Sequence, residues 1–297
     1  MTRVPHRIGV DLGGTKIEGV VLDADHQPLF RQRVATEAEH GYEHILARII
    51  NLVGALRAHA PMCAGLGIGT PGAISTVDGT MKNSNTACLN GRDLRGDLER
   101  TLGLPIVMEN DANCFALAEA VAGAGRGTGL VFGVIMGTGV GGGIVINASL
   151  HRGVQNIAGE WGHHCIDPNG PPCYCGHRGC VEAYISGPAV SREYAARTGE
   201  SLAMAALVDR AHAGHPPAVE LLDYFLDRFG RSLANVITIL DPDLIVLGGG
   251  LSNIDELYTR GRDAVARYVF NDQLRTPIVR HQLGDSAGVI GAALLVQ

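Results

Sequence analysis

The sequence predicts an α/β protein of two lobes around a shared cleft, and three observations carry that prediction. A chain of 297 residues exceeds one ordinary globular unit. Hydrophobic residues at 46% with charged residues at 18% describe a water-soluble chain with a sizeable core. A pattern of strand, Gly-Thr turn and strand occurs twice, over Ile8–Val20 and Val134–Ile146. It reads as an internally duplicated β-meander, although two unrelated Gly-rich hairpins would look the same. The 41 glycines supply tight turns and places where backbone can approach closely.

Along the chain, Ile8–Leu12, Ile17–Leu22 and Leu29–Val34 are short β-rich runs parted by Gly13-Gly14-Thr15 and by Asp23–His26, a three-stranded meander. Between Tyr42 and Ala58 the set Ile45, Ile49, Leu52, Val53 and Leu56 keeps helical spacing and predicts a helix lying on that sheet. Ala64–Gly69 reads as a buried strand ending at Thr70-Pro71-Gly72. Leu104–Met108 is a further strand, and Asp111–Ala122 a helix opened by acidic and amide residues. The second meander has strands Leu130–Met136 and Gly143–Asn147 around the loop Gly137–Gly142. Helical patterns follow over Ala203–Ala213 and Ala218–Leu240, then the strand Leu244–Leu247 closed by Gly248-Gly249-Gly250. No low-complexity linker interrupts the chain, so the lobes are expected at 1–118, with 287–297 returning to it, and at 119–286.

The 24 Lys and Arg against 30 Asp and Glu give a net charge of -6, without the basic run needed to neutralise a phosphate backbone. A nucleic-acid partner is therefore not expected. The apolar run Ile8–Leu12 is too short for a signal segment or a membrane span, so a cytoplasmic protein is expected. Seven cysteines there would be reduced, so clustering among them points to metal before disulfides.

Asp11-Leu12-Gly13-Gly14-Thr15-Lys16 places an acid at a strand end, then two flexible residues, a hydroxyl and an ammonium. Backbone N–H groups of such a turn can converge on one anion, and Gly137-Thr138-Gly139 repeats the chemistry. Neither is a P-loop or a dinucleotide fingerprint, because no Gly-x-x-x-x-Gly-Lys run exists and a strand, not a helix, follows each turn. An unliganded hairpin would explain either turn alone. With Gly248, Gly249 and Gly250, against which an adenosine can lie, the three loops read together as a nucleotide site.

His163, Cys173, Cys175 and Cys180 fall in one Gly- and Pro-rich run. Three thiolates and one imidazole form the ligand set of a closed, structural tetrahedral zinc site. His164, His177 and Cys165 are rival ligands, whereas Cys63, Cys88 and Cys114 stand in contexts that suit core or pocket-wall residues.

Glu109-Asn110-Asp111-Ala112-Asn113 joins a strand to a helix, so a carboxylate there is either the helix N-cap or a proton acceptor aimed into the cleft. Polar groups suited to gripping a polyol are Asn83, Asn85, Asn110, Glu160, His163 and Glu182. The metal knuckle would fix Glu160, His163 and Glu182 relative to one another. Trp161 reads as a core aromatic.

These motifs, joined by Gly69-Thr70-Pro71-Gly72, Glu160-Trp161-Gly162-His163 and Asp241-Pro242-Asp243, resemble the ROK family (repressors, open reading frames and sugar kinases) over essentially the whole chain. The resemblance implies the actin-like, ribonuclease H-like ATPase fold, ATP with Mg²⁺, and Asp111 as catalytic base. It implies His163, Cys173, Cys175 and Cys180 as zinc ligands, sugar contacts from Asn110, Asp111, Glu160, His163 and Glu182, and a homodimer. Gly72 and Asn85 complete the expected sugar contacts. The stretches around Lys82–Asn85 and Pro172–Gly176 look most like bacterial fructokinases that also accept mannose, with phosphorylation of the primary 6-hydroxyl. N-acetylglucosamine kinases and glucokinases are the alternatives. A sugar-sensing regulator is the non-enzyme alternative, and it would lack a DNA-binding domain, because Asp11 arrives after only ten residues.

Overall fold

A computed structural model describes residues 6–60 and 62–296, so the expected lobe ends at residues 1 and 297 lie outside the described residues. The chain divides into two compact units, one drawn from Met1–Gly123, Gly153–Asn156 and Leu283–Gln297, the other from Ala124–Arg152 and Ile157–Gln282.

In the first unit, β1 (His6–Leu12), β2 (Lys16–Leu22) and β3 (Pro28–Ala35) form an antiparallel meander. Helix α1 (Tyr42–His59) then buries Ile45, Ile49, Leu52, Val53 and Leu56, the set whose spacing predicts it. Strand β4 (Cys63–Thr70) pairs parallel with β1. A small hairpin of β5 (Ala73–Ile74) and β6 (Met81–Lys82) precedes α2 (Leu94–Leu102), which Asp93 caps by accepting from the Gly96 N–H. Strand β7 (Ile106–Asn110) completes the sheet order β3-β2-β1-β4-β7 and feeds directly into α3 (Asp111–Ala122). This strand starts two residues later and ends two residues further than its apolar run suggests. Glu109 and Asn110 stay paired with Gly69 and Thr70, since the ladder uses backbone groups irrespective of side-chain polarity.

The C-terminal helix Ala287–Leu294 lies against β1, β4 and α3 at backbone distance. A Cβ on Gly9 would stand 2.4 Å from the Val289 carbonyl oxygen, and one on Gly67 would stand 1.7 Å from that of Ala292. Those two strand positions must therefore be glycine for the helix to seat.

The second unit opens with β8 (Leu130–Met136), β9 (Val140–Ile146) and β10 (Ser149–Leu150). Helices α4 (Glu182–Ile185), α5 (Gly187–Thr198), α6 (Met204–His212) and α7 (Pro216–Leu240) follow. Strand β11 (Leu244–Gly248), helix α8 (Arg260–Tyr268) and strand β12 (Ile278–Arg280) complete it. Its sheet order is β10-β9-β8-β11-β12, an antiparallel meander followed by two parallel strands. The first sheet has the same plan, so the two Gly-Thr hairpins are equivalent parts of a repeated unit. Strand β9 begins at Val140, earlier than the sequence suggests, because Gly141 and Gly142 pair with Ile135 and Val134. Glycine carries the ladder without contributing any alternation of side chains, and so hides the strand from pattern reading.

No helix among the described residues is long and apolar enough to cross a membrane.

Candidate functional site

In the first unit the turn after β1 is closed by the Gly13 N–H donating to the Lys16 carbonyl at 2.9 Å. Thr36 braces it, its hydroxyl donating to the Gly13 carbonyl at 2.7 Å. Gly14 and Thr15 stay exposed and border an open pocket of about 640 Å³, shared with Glu39, Asn85, Thr86 and Cys88. Cys88 lines this pocket wall, one of the two places its sequence context suits, whereas Glu39 and Thr86 were not singled out by sequence and no motif marks them. Gly72, at φ 154°, presses on the next segment, where a Cβ would meet the Lys82 carbonyl oxygen at 2.8 Å and the Ser84 Cα at 2.9 Å. That close approach sets the chain entering Asn85.

Asn110 and Asp111 divide their tasks. The Asn110 side chain caps α3, accepting from the Asn113 N–H at 2.7 Å. Asp111, the first helical residue, accepts from the Ala112 N–H at 2.8 Å and does not cap the helix. It keeps solvent-accessible surface of its own, yet the dense protein around it lifts its carboxyl above the ordinary carboxylate range. Asp11 is pushed up to about 6, first by burial, then by the neighbouring charges of Asp111 and Glu18. Glycines crowd this carboxylate, since a Cβ on Gly288 would lie 3.0 Å from its Oδ2 and one on Gly69 would lie 3.3 Å from its Oδ1. A half-buried carboxylate with an acidic neighbour suits a hard divalent cation such as Mg²⁺.

In the second unit the Gly137–Gly139 turn is closed by the Gly137 N–H donating to the Gly139 carbonyl at 2.9 Å. Gly249, at φ 77°, abuts the strand end, where its Cβ would stand 2.4 Å from the Met136 carbonyl oxygen. This contact brings the Gly248–Gly250 run beside the turn. A Cβ on Gly250 would have no atom within 4 Å, and one on Gly137 would meet only the Gly250 nitrogen, at 4.0 Å. Bare backbone of this kind fits a nucleotide lying against it.

Glu160 precedes, and His163 ends, a short 3₁₀ turn over Trp161–His163. Trp161 is buried and anchors the turn on β9, its indole N–H donating to the Gly141 carbonyl at 2.9 Å. His163, Cys173, Cys175 and Cys180 each offer one ligand atom, and these four atoms all lie within 4.8 Å of one another. Cys173 Sγ is 3.6 Å from His163 Nδ1, and Cys175 Sγ is 3.6 Å from Cys180 Sγ. Both spacings match the edges of a tetrahedron around zinc, about 3.8 Å for two sulfurs each about 2.3 Å from the metal. The knuckle is folded by isolated bridges between Cys165 and Cys180 and between Pro172 and Arg178. His164 turns away to the side-chain amide of Asn235 at 3.1 Å, and neither Cys165 nor His177 belongs to the cluster. The Tyr174 hydroxyl, not singled out by sequence, lies 3.0 Å from His163 Nε2. Glu182 starts α4 two residues after Cys180, and its Oε2 accepts from the Val140 N–H at 2.8 Å.

Comparison with known proteins gives one consistent result. The family model described as ROK family matches residues 7–297. An N-acetyl-D-glucosamine kinase of Yersinia pseudotuberculosis is 37% identical over 97% of this chain and 97% of its own length. The crystal structure of a ROK hexokinase from Thermus thermophilus superposes with a TM-score of 0.90 at 33% identity, covering 98% of this chain and 97% of that one. A ROK family glucokinase from Streptomyces griseus, solved in complex with glucose and AMPPNP, gives a TM-score of 0.78 at 32% identity over 98% and 99% of the two chains. The repeated meander sheets are those of the actin-like ATPase fold, and the chain belongs to the ROK family.

Proposed function

We propose that this protein is an ATP-dependent sugar kinase that phosphorylates the primary 6-hydroxyl of an N-acetylhexosamine, with N-acetylglucosamine first among them. The observation that carries the reaction type is Asp111, relieved of capping by Asn110 and held above the ordinary carboxylate range at a strand-to-helix junction. The likeness to an N-acetyl-D-glucosamine kinase at 37% identity over nearly the full length supports the hexosamine over the fructose or mannose that loop resemblance ranks first. Glucose is the next alternative, on the likeness to the Streptomyces griseus glucokinase.

Asp111 accepts the hydroxyl proton as the sugar oxygen bonds to the γ-phosphorus. The bond from that phosphorus to the β–γ bridging oxygen breaks, and ADP leaves. The Gly13–Lys16 and Gly137–Gly139 turns and the Gly248–Gly250 run hold the triphosphate and adenosine. Asn85, Asn110, Glu160, His163 and Glu182 orient the sugar, and Gly72 lets the segment before Asn85 approach. Mg²⁺ at Asp11 would neutralise phosphate charge. Zinc on His163, Cys173, Cys175 and Cys180 would be structural, because four protein ligands leave no open position.

The test is ADP release with N-acetylglucosamine, N-acetylmannosamine, glucose, mannose and fructose under one set of conditions. N-acetylglucosamine should show the highest kcat/KM, at least about tenfold above glucose, a margin near 1.4 kcal/mol of transition-state binding. Preference for fructose or mannose would restore the first ranking, and no turnover with any of the five would remove the kinase assignment.

A further inference from the structure

The turn proposed to hold nucleotide is anchored by the same short segment that carries the sugar-facing carboxylate. Glu182 Oε2 accepts from the Val140 N–H at 2.8 Å, immediately after the Gly137–Gly139 turn. Five residues on, the Gly187 N–H donates to the Gly137 carbonyl at 2.9 Å. The turn is thus gripped at both ends by α4 and the start of α5. Gly139 is shaped to this contact, since a Cβ there would lie 2.8 Å from Glu182 Oε2. Segment and knuckle are continuous: Cys180 is fully buried, and the Val181 N–H donates to the His164 carbonyl at 2.9 Å.

Strand β9 also receives the other sugar-facing turn. Besides the Trp161 anchor on Gly141, a Cβ on Gly162 would stand 1.9 Å from the Val140 carbonyl oxygen. Val140 is therefore approached at its carbonyl by the Glu160–His163 turn and bonded through its N–H to Glu182.

We infer that Glu182 is a positioning residue for the nucleotide turn as well as a sugar contact, so that sugar and nucleotide affinities are coupled through this one carboxylate. This rests on the kinase reading above. An ionised carboxylate has about four acceptor sites, so one oxygen can stay on Val140 while the other meets a sugar hydroxyl. A sugar that fixes the carboxylate fixes the Val140 N–H, and with it the turn. By linkage, nucleotide must tighten sugar by the same factor.

The experiment measures the affinity of a non-hydrolysable ATP analogue with Mg²⁺, with and without saturating N-acetylglucosamine, by calorimetry. Trp161 is the sole tryptophan and lies in the coupled turn, so its fluorescence gives a second readout. In the wild type the sugar should tighten the analogue at least about fivefold, the low end of ordinary coupling. Glu182→Ala should lower this to less than about twofold and weaken the analogue even without sugar. Glu182→Gln keeps an acceptor for the Val140 N–H and should hold the sugar-free analogue affinity near wild type while weakening sugar. Gly139→Ala, which leaves the carboxylate intact but displaces it, should lose coupling as Glu182→Ala does, and it decides the matter should Glu182→Ala not fold. The inference is overturned if wild type shows no coupling, if Glu182→Ala or Gly139→Ala retains it, or if the Ala and Gln variants weaken sugar-free nucleotide binding equally. Wild-type protein that binds neither ligand would instead defeat the kinase reading itself.

Discussion

Asp11 bears a cost that its surroundings explain. Its carboxyl is raised from 3.8 to about 6 by burial and by the charges of Asp111 and Glu18, so the folded chain holds this proton more tightly than the unfolded chain. Stability from this residue is complete below pH 3.8 and is lost as pH climbs through about 6. At neutral pH the loss is up to about 3 kcal/mol. Asp11→Asn should therefore be more stable than wild type at pH 8, by about 1–3 kcal/mol in urea unfolding, with the gain fading toward pH 4. A gain that is absent, or equal at both values, would show that Asp11 is not strained by ionisation. Asp111 illustrates how far single residues were legible. Its place at a strand-to-helix junction could be read, but base and cap remained equal readings because the two differ only in which neighbour reaches the Asn113 N–H. Asn110 does so, since it stays extended at φ -71° and ψ 162° while Asp111 is already helical. That distinction lies in one residue's backbone angles and leaves no mark in composition or spacing.

At the scale of elements, the knuckle was the most legible part, because soft ligands packed between glycines and prolines have few other uses. Gly179, at φ 67°, shows how tightly it is built: a Cβ there would stand 1.6 Å from the Asp167 carbonyl oxygen. Chelation of the proposed zinc, or Cys175→Ser, should loosen the turn carrying Glu160 and His163 and the start of α4. The sugar KM is expected to rise about tenfold. Metal content measured beside the kinetics checks this, and metal-free protein with an unchanged KM would refute the scaffolding role. Less legible was α5, although Ser186 followed by Pro188 is a helix-start signal; the Ser186 hydroxyl accepts from the Ala189 N–H at 3.3 Å. The C-terminal helix shows no helical period because all its residues are apolar or glycine. It is covered on several sides, so no polar face is needed.

For the whole molecule, the duplicated meander was readable because both copies kept a Gly-Thr turn between strands. The equivalence of the two five-stranded sheets was not, since β7 and β12 are added by parallel pairing across long sequence separations. Sugar identity was the least legible property. Hexoses and their N-acetylated forms differ by one hydroxyl or one acyl group, and the groups that discriminate them include loop backbone no motif specifies. What the whole chain is proposed to do is move a phosphoryl group onto one hydroxyl with Asp111 taking the proton. Single-turnover reaction of wild type and Asp111→Asn with ATP and N-acetylglucosamine, with the product's phosphate position read by ³¹P and ¹H NMR, tests this most directly. Wild type should yield the 6-phosphate, and Asp111→Asn should be at least about 100-fold slower while still binding the sugar. A phosphate on another hydroxyl, or an Asp111→Asn rate close to wild type, would contradict it.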